Sequence, residues 1–337
     1  MNCCFLTKKF NLVKMKKYLI FLLGISMIFS YGCKQKQEKN DFKNVSWIRF
    51  DWEGDSIGNR YYEKLAMFVP FKIEGIPYEF SSQFDLGAPV TMIYGNSFES
   101  LLNEFPQIAE KLDTINKKHV IQGMKVGEFK NISFYLDTVK FINQNIAYFE
   151  GYGDPVSQKD FDKDTIIHIG TIGSNQFKEK ILFIDFKNNK LAVIDSLSKD
   201  LEKQLIDIII DKGRIKVPVI INGKKEYVIY DTGTSFASLF LSENNWNEYR
   251  DTTSTPDTLM AIAWGVQYPL LISKTNIEIK IGNNIFKPET IMANNLKPYY
   301  EFYKKEKIIG LMGNKLFFDK VLIIDFKKKK FGLINEL

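Results

Sequence analysis

One block of sequence occurs twice in this chain. Residues 169–194 read IGTIGSNQFKEKILFIDFKNNKLAVI, and residues 309–334 read IGLMGNKLFFDKVLIIDFKKKKFGLI, aligned without a gap. Both copies contain the pattern I-G-x-x-G, then a phenylalanine and a lysine, and then the run L-x-I-D-F-K. A repeat of this kind restricts the possible folds, because each half of the chain must then form a similar unit.

A second pair of matching segments precedes the two blocks. Residues 69–73 (VPFKI) lead to the sequence DLGA at residues 85–88, and residues 217–221 (VPVII) lead to DTGT at residues 231–234. Each half therefore has a Val-Pro strand, a glycine turn, a second strand that ends in Asp-x-Gly, and the repeated block. The glycines and the Lys/Asn-rich clusters are typical of tight connections between strands.

Alternating apolar residues, many of them β-branched or aromatic, dominate both halves and favour strands. Clear examples are residues 225–230, 275–281 and 321–326, whereas helical patterns are confined to about residues 96–112 and 197–205. We predict an all-β protein with two β lobes related by internal duplication. The N-terminal lobe is expected at residues 63–196 and the C-terminal lobe at residues 205–337, joined by a linker near residues 195–204.

Composition excludes several classes of function. Of the 46 basic and 40 acidic side chains, five lysines and no acid lie in residues 1–33, so the remainder is almost neutral and lacks the basic surface of a nucleic-acid-binding protein. The three cysteines all lie within residues 1–33, which excludes disulfides and thiol catalysis in the folded body. Two histidines are too few for a histidine-rich metal site, and we expect neither a metal nor a cofactor.

The N-terminus has the features of a secretion signal. Lysines precede an apolar run at residues 18–29, which is too short for a comfortable membrane span and ends just before Cys33. The small residues before Cys33 resemble the lipobox of bacterial lipoproteins, which implies cleavage before Cys33 and its lipidation. Residues 1–33 are thus interpreted as the signal peptide, with Met15 as an alternative start. A plain secretory signal with an incidental cysteine is the alternative.

The polar residues that follow Cys33 are interpreted as a tether. Residues 34–62 would comprise this tether and the first strand, and they would hold the body away from the membrane. The expected location is the bacterial cell envelope, with the protein anchored by lipid and facing the periplasm or the surface.

An aspartate on a strand-to-loop turn, with glycine two positions later, can do chemistry when two such turns meet. The glycine permits a tight turn and close approach of the backbone. Two carboxylates brought together cannot both ionise freely, so they share a proton and titrate as a pair. One can then act as a base on water while the other donates a proton to a carbonyl oxygen, without a metal or cofactor.

These residues resemble the pepsin-like and retropepsin-like aspartic proteases. In that superfamily, an apolar strand with glycine crosses beside each Asp loop, and Gly170 and Gly310 match those positions. The resemblance covers nearly all of residues 63–337 and implies a two-lobed pepsin-like fold of closed or distorted β-barrels. A cleft would lie between the lobes, with Asp85 and Asp231 as the catalytic pair. It further implies a polypeptide substrate and a chain that works as a monomer.

The loop residues match the superfamily unequally. Thr232 has the hydroxyl that usually bonds to the opposite loop, whereas Leu86 at the equivalent position has no donor or acceptor. The remaining residues implied to support the site are Gly87, Ala88, Gly233 and Thr234. One half of the cross-lobe bonding is therefore expected to be missing, and the first lobe is the one that departs from the pattern.

Segments that could cover the cleft follow each Asp loop. Residues 120–137, with Tyr135 available, are the candidate flap of the first lobe, and residues 261–271, with Trp264, occupy the equivalent place in the second. Several aromatic residues could line an apolar subsite, although packing in the core is their more common role: Phe149, Tyr152, Tyr299, Tyr300 and Tyr303.

Three functions are compatible with this sequence. The first is an envelope-anchored aspartic endopeptidase. The second is a catalytically weak or inactive lipoprotein on the same fold that binds peptide or protein, a reading motivated by Leu86. The third is a structural envelope subunit with an occluded cleft. Fold alone does not decide between them.

Overall fold

The structure is a computed structural model that describes residues 45–121, 123–161, 163, 166–263, 266–294 and 296–337. The predicted signal peptide, Cys33 and most of the predicted tether lie outside these residues, as does Trp264. Strands account for 49% of the structure and helices for 17%, which confirms the all-β fold class. In the described part of the chain, no helix combines the length and apolar character needed to cross a membrane.

The strands and helices follow one another along a single compact unit, Asn44–Leu337. The strands are β1 (Trp47–Arg49), β2 (Asp51–Ile57), β3 (Arg60–Ile73), β4 (Phe80–Phe84), β5 (Met92–Tyr94), β6 (Leu112–Asp113), β7 (His119–Ile121), β8 (Met124–Leu136), β9 (Val139–Phe149), β10 (Ile167–Ile172), β11 (Ile181–Asp185), β12 (Lys190–Ile194), β13 (Ile206–Asp207), β14 (Ile209–Asp211), β15 (Arg214–Ile221), β16 (Lys224–Tyr230), β17 (Leu239–Ser242), β18 (Asp257–Ala263), β19 (Val266–Lys274), β20 (Ile279–Ile281), β21 (Asn284–Phe286), β22 (Thr290–Asn294), β23 (Gly310–Met312), β24 (Val321–Asp325) and β25 (Lys330–Ile334). The α-helices are α1 (Gly95–Glu104), α2 (Pro106–Ala109), α3 (Lys199–Glu202), α4 (Glu243–Tyr249) and α5 (Lys297–Glu306).

Alternation of side chains explains why these segments form half-buried strands. In β15, every second residue points into the core, and its four apolar side chains are fully buried: Ile215, Val217, Val219 and Ile221. The residues between them are partly or fully exposed. Because successive side chains of a strand point to opposite faces, this pattern buries one face of the sheet and leaves the other accessible.

Two of the three sheets in the described ranges share one pattern of strand pairing. In the nine-stranded sheet, β4 runs parallel to β10, β10 antiparallel to β5, and β5 parallel to β9. In the ten-stranded sheet, β16 runs parallel to β23, β23 antiparallel to β17, and β17 parallel to β22. Each of the strands β4 and β16 also pairs with the Val-Pro strand before it. The repeated sequence segments therefore occupy matching positions in the two sheets.

The third sheet has six strands and joins the two halves of the chain. Its order is β1-β12-β11-β24-β25-β13, so the two L-x-I-D-F-K hairpins lie side by side. Strands β11 and β24 pair antiparallel, with Phe183 opposite Ile323 at the centre. The turns are also alike, because Asp185 accepts a hydrogen bond from the Asn188 N–H at 3.1 Å and Asp325 accepts one from the Lys328 N–H at 2.7 Å.

The helices depart from the sequence-based expectation in two ways. The helix expected at about residues 96–112 is split, because α1 ends at Glu104 and Pro106 begins the short α2; proline disfavours a helical conformation in the residue before it. Helices α4 and α5 were not predicted. In α5, the aromatic-rich sequence KPYYEFYKKE has the composition of a strand, although Pro298 in its first turn is a helix-start signal.

The central sheet provides a test of the fold. Ile324 in β24 is fully buried, whereas Ile285 in β21 is 55% exposed. We expect Ile324→Ala to lower the free energy of unfolding by about 2–5 kcal/mol, because it removes buried methyl groups and leaves a cavity. The control variant Ile285→Ala should change it by less than about 0.5 kcal/mol. Urea unfolding of both variants measures the difference, and equal losses would contradict the assigned burial.

Candidate functional site

The two Asp-x-Gly loops begin at equivalent points of the two larger sheets. Asp85 directly follows β4, and its N–H donates to the Ile172 carbonyl of β10 at 3.0 Å. Asp231 directly follows β16, and its N–H donates to the Met312 carbonyl of β23 at 3.0 Å. Each aspartate is therefore fixed by a strand pair inside its own sheet, and the loop after it is tightly positioned.

The two loops meet face to face. A Cβ atom added to Gly233 would lie 2.8 Å from Cγ of Asp85, and one added to Gly87 would lie 2.5 Å from Cγ of Asp231. Both distances are shorter than real Cβ contacts, so only glycine fits at either position. The structure thus brings Asp85 and Asp231, from sequence positions far apart, into one half-buried pair.

Each carboxylate accepts hydrogen bonds from its own loop. Oδ1 of Asp85 accepts from the N–H groups of Gly87 at 2.8 Å and Ala88 at 3.2 Å. Oδ1 of Asp231 accepts from the Gly233 N–H at 2.8 Å, and Oδ2 accepts from the Thr234 hydroxyl at 2.7 Å. The first loop has alanine where the second has Thr234, so only Asp231 receives a side-chain donor from its loop.

The pKa of Asp85 is raised well above its ordinary value. Burial is the largest cause, followed by the charge of Asp231 and by a hydrogen bond between the two side chains. The two N–H donors of the first loop oppose this effect but do not cancel it. A proton is therefore retained on Asp85 at pH values where an exposed aspartate is ionised.

Thr232 links the two loops through a hydrogen bond in each direction. Its hydroxyl donates to the Phe84 carbonyl at 2.8 Å and accepts from the Leu86 N–H at 2.8 Å, and the side chain is fully buried. Leu86 occupies the equivalent position but has no polar atom to return these bonds, and its side chain lies in the hydrophobic core. The cross-loop bonding by side chains at these two positions is thus one-sided.

Strand β10 closely approaches β5 at Gly170, and strand β23 closely approaches β17 at Gly310. A Cβ at Gly170 would collide with the backbone of Met92 and Ile93 in β5, and one at Gly310 with the backbone of Phe240 and Leu241 in β17. The two glycines therefore have the same role in the two sheets, which is to let three strands pack beside an Asp loop.

The pair lies in a cleft of about 970 Å³. On one side, aromatic and aliphatic side chains of the nine-stranded sheet line it, including Ile121, Tyr94 and Tyr152. The ten-stranded sheet and α5 contribute Phe240, Tyr268 and Tyr299 on the other. A cleft with mostly apolar walls and a few polar groups is typical of a ligand-binding site.

Two hairpins lie over this cleft. Val120 and Ile121 of the β7–β8 hairpin line it, as do Met260, Ala261 and Tyr268 of the β18–β19 hairpin. The tips, Gln122 in the first and Trp264 with Gly265 in the second, lie outside the described residues.

Of the aromatic residues singled out from the sequence, some line the cleft in the structure and others do not. Tyr152 and Tyr299 line the cleft, whereas Phe149 and Tyr303 are buried behind it and Tyr300 is exposed. Tyr135 lies at the distant end of β8, where it pairs with Lys72 of β3, and it is not among the cleft residues.

A third hairpin, β2–β3, crosses from the nine-stranded sheet to the ten-stranded one. Its tip residue Ile57 is buried in a cluster with Leu259 and Tyr268, and Arg60 forms an ion pair of 2.8 Å with Asp257. Residues 55–58 also line the cleft. Sequence reasoning did not assign this hairpin to the site.

Other cleft residues were also missed, and their sequence signals are weak. Tyr94 follows two apolar residues in β5 and was indistinguishable from core, while Arg214 is one of many surface-like cations. Only the tertiary structure brings Tyr94, Arg214 and Ile57 to the same cleft.

Neither histidine lines the cleft. His168 packs edge-on against Phe68 and Tyr94, and burial lowers its pKa to about 4. His119 contacts the buried carboxylate of Glu128 at 3.2 Å. Within the described ranges, no three His, Cys, Asp or Glu side chains are grouped as a metal site would require.

Comparison with known proteins gives no assignment. A scan against models of protein families finds no match, and a search of curated proteins finds none at a significant level.

The one-sided link at Thr232 can be measured. Thr232→Val keeps the shape of the side chain but leaves the Phe84 carbonyl and the Leu86 N–H without their partner. We expect a loss of about 2–4 kcal/mol in the free energy of unfolding, because each buried polar group loses its hydrogen bond. The same change at the exposed Thr258 should have little effect. Denaturant titration of both variants makes the comparison, and similar small effects would refute the buried link.

The raised pKa of Asp85 predicts a pH-dependent stability. Folding favours the protonated form, so the native state loses stability as pH rises from the ordinary aspartate pKa through the raised one. Asp85→Asn should match the wild type in melting temperature near pH 3 and exceed it increasingly toward neutral pH. The exposed Asp51→Asn variant serves as the control. A constant offset between Asp85→Asn and wild type across this range would count against the shift.

Proposed function

We propose that this protein is an aspartic endopeptidase that hydrolyses peptide bonds with the pair Asp85 and Asp231 and a bound water. The observation that supports this most is the face-to-face contact of the two loops, in which each glycine lies against the carboxylate of the other loop. The raised pKa of Asp85 supports a shared proton. The cleft around the pair has a volume of about 970 Å³ and a mostly apolar lining, which suits a segment of extended polypeptide.

The finer fold belongs to the same proposal. We infer a pepsin-like architecture of two lobes, residues 63–196 and 205–337, related by internal duplication. The matching order of parallel and antiparallel pairs in the two larger sheets supports it, as does the symmetric pairing of β11 with β24. The repeated sequence blocks end on equivalent strands.

The two aspartates differ in surroundings, which suggests different roles. Asp231 receives a hydroxyl donor from Thr234, and such a bond stabilises a charged carboxylate. Asp85 retains a proton. In the proposed reaction, Asp231 takes a proton from water as the water oxygen attacks the peptide carbonyl carbon, and Asp85 donates its proton to the carbonyl oxygen. As the tetrahedral intermediate collapses and the C–N bond breaks, Asp231 passes the proton it took from water to the leaving nitrogen, and Asp85 takes back a proton from a hydroxyl of the intermediate.

We also propose, from the N-terminal residues, where in the cell the protein is located. A signal peptide over residues 1–33, lipidation at Cys33 and a tether over about residues 34–44 would attach the enzyme to a membrane of the cell envelope, where it would act as a monomer. The small residues before Cys33 and the abrupt change to polar residues after it support this inference.

A second function is favoured by one specific observation. Thr232 bonds to two backbone groups of the first loop, whereas Leu86 returns no such bond to the second loop, so the cross-loop bonding is one-sided. A lipoprotein that binds peptide in the same cleft without cutting it would need the apolar walls but not a precisely positioned pair of carboxylates.

Peptide cleavage with matched variants tests the proposal. The purified full chain is incubated with a diverse peptide mixture between pH 3 and pH 8, beside Asp85→Asn, Asp231→Asn and the control Asp51→Asn. We expect cleavage by wild type and Asp51→Asn and a loss of at least about 1,000-fold in the other two, a size typical of lost catalytic groups. The rate should fall at high pH as the pair loses its shared proton and at low pH as it gains a second.

Retained cleavage in both cleft variants would overturn the proposed pair. Binding of peptides by folded wild type, with no cleavage at any pH, would favour the second function.

A further inference from the structure

The cleft contains a cation whose position the proposed reaction does not require. Among the described residues that line it, Arg214 is the only lysine or arginine. Its side chain is 26% exposed, and the guanidinium lies over the ring of Phe302, 5.2 Å from the ring centroid. A cation over an aromatic ring uses none of its N–H donors in that contact, so the donors of Arg214 remain for a ligand in the cleft.

The turn that bears Arg214 is fixed against the first Asp loop. Lys212 and Gly213 connect β14 to β15 with positive φ angles, and the Gly213 carbonyl accepts a hydrogen bond of 2.6 Å from the Ser174 hydroxyl. A Cβ at Gly213 would lie 3.0 Å from Pro89, which follows Ala88 in the first loop. Arg214 is therefore held close to the residues that position Asp85.

The acidic neighbour of Arg214 is already paired with another cation. Lys216 Nζ lies 2.7 Å from Oε2 of Glu306 and also donates to the Glu306 carbonyl at 3.0 Å. Arg214 Nη1 lies 3.6 Å from Oε1, which is longer than a hydrogen bond. The three side chains together carry one positive charge, and Arg214 is the member that reaches the cleft.

We propose that Arg214 binds a carboxylate of the polypeptide in the cleft, and so selects chains that place an acidic group at one fixed distance from Asp85 and Asp231. A guanidinium presents paired donors that match the two oxygens of a carboxylate. The carboxylate is either an Asp or Glu side chain or the C-terminus of the chain. The selection of cleaved chains rests on the proposed function, whereas the binding of a carboxylate by Arg214 does not.

The test uses one randomised peptide library in two forms, with a free C-terminal carboxylate or with a C-terminal amide. Cut products of the full chain are sequenced by mass spectrometry for wild type, Arg214→Gln, Arg214→Lys and Arg214→Glu. Arg250→Gln is the matched control, because Arg250 also lies 5.2 Å from an aromatic ring, that of Trp246, but outside the cleft. Thermal melting verifies that each variant is folded.

We expect about tenfold enrichment of Asp and Glu at one position relative to the cut, the size of one charge-assisted hydrogen bond. Arg214→Gln should abolish the enrichment, Arg214→Lys should retain part of it, Arg214→Glu should replace it with Lys and Arg, and Arg250→Gln should leave it unchanged. Enrichment of free-carboxylate peptides over amides, in place of a side-chain preference, would identify the C-terminus as the ligand. Unchanged selection in Arg214→Gln would overturn the inference.

Binding separates this inference from the proposed reaction. The same libraries are passed over immobilised Asp85→Asn protein, with and without Arg214→Gln, and the retained peptides are sequenced. Acid-enriched retention that depends on Arg214, without cleavage by wild type, would support the carboxylate site and refute the protease. Cleavage without acid preference, or no retention of any peptide, would refute the carboxylate site.

Discussion

The close approach of two turns is the constraint on which the rest of the structure depends. Two carboxylates can be held side by side and partly shielded from water only if the backbone around them is fixed and no side chain intervenes. Hydrogen bonds from Asp85 and Asp231 to the neighbouring strands fix the backbone. Glycine at residues 87 and 233 leaves no side chain between the two carboxylates. In both large sheets, the strand before the turn pairs in parallel with a later strand, which places the two turns at equivalent points.

The two sides of this arrangement are similar in backbone and different in chemistry. Thr232 holds the opposite loop by two hydrogen bonds, whereas Leu86 packs into the core and relies on hydrophobic contact. Thr234 adds a donor to Asp231 that Ala88 cannot add to Asp85. An asymmetric pair is not a defect for acid–base chemistry, because the two groups must act from opposite protonation states. As a result, the second loop is held less firmly by the first, because Leu86 makes no hydrogen bond to it.

Much of the architecture could be predicted from the sequence. The features that were missed have physical reasons for being hard to predict. The alternation in residues 225–230 and 321–326 correctly indicated strands, since this signal is local. The six-stranded sheet was not foreseen, because an apolar hairpin does not reveal which distant hairpin it will pair with. Helix α5 was missed since its aromatic residues resemble those of a strand. Arg214 was missed because only its neighbours in space distinguish it from other surface cations.

The six-stranded sheet, to which both halves of the chain contribute, also limits how far the two halves can separate. Separating the two halves would break the ladder between β11 and β24 and expose Phe183 and Ile323, both fully buried. The β18–β19 hairpin is tied down as well, because Leu259 and Leu270 belong to a buried cluster with Ile57 of the β2–β3 hairpin. A cleft whose walls pack into the core in this way is largely preformed. A ligand would meet walls that folding has already set, so little ordering of the protein would oppose its binding.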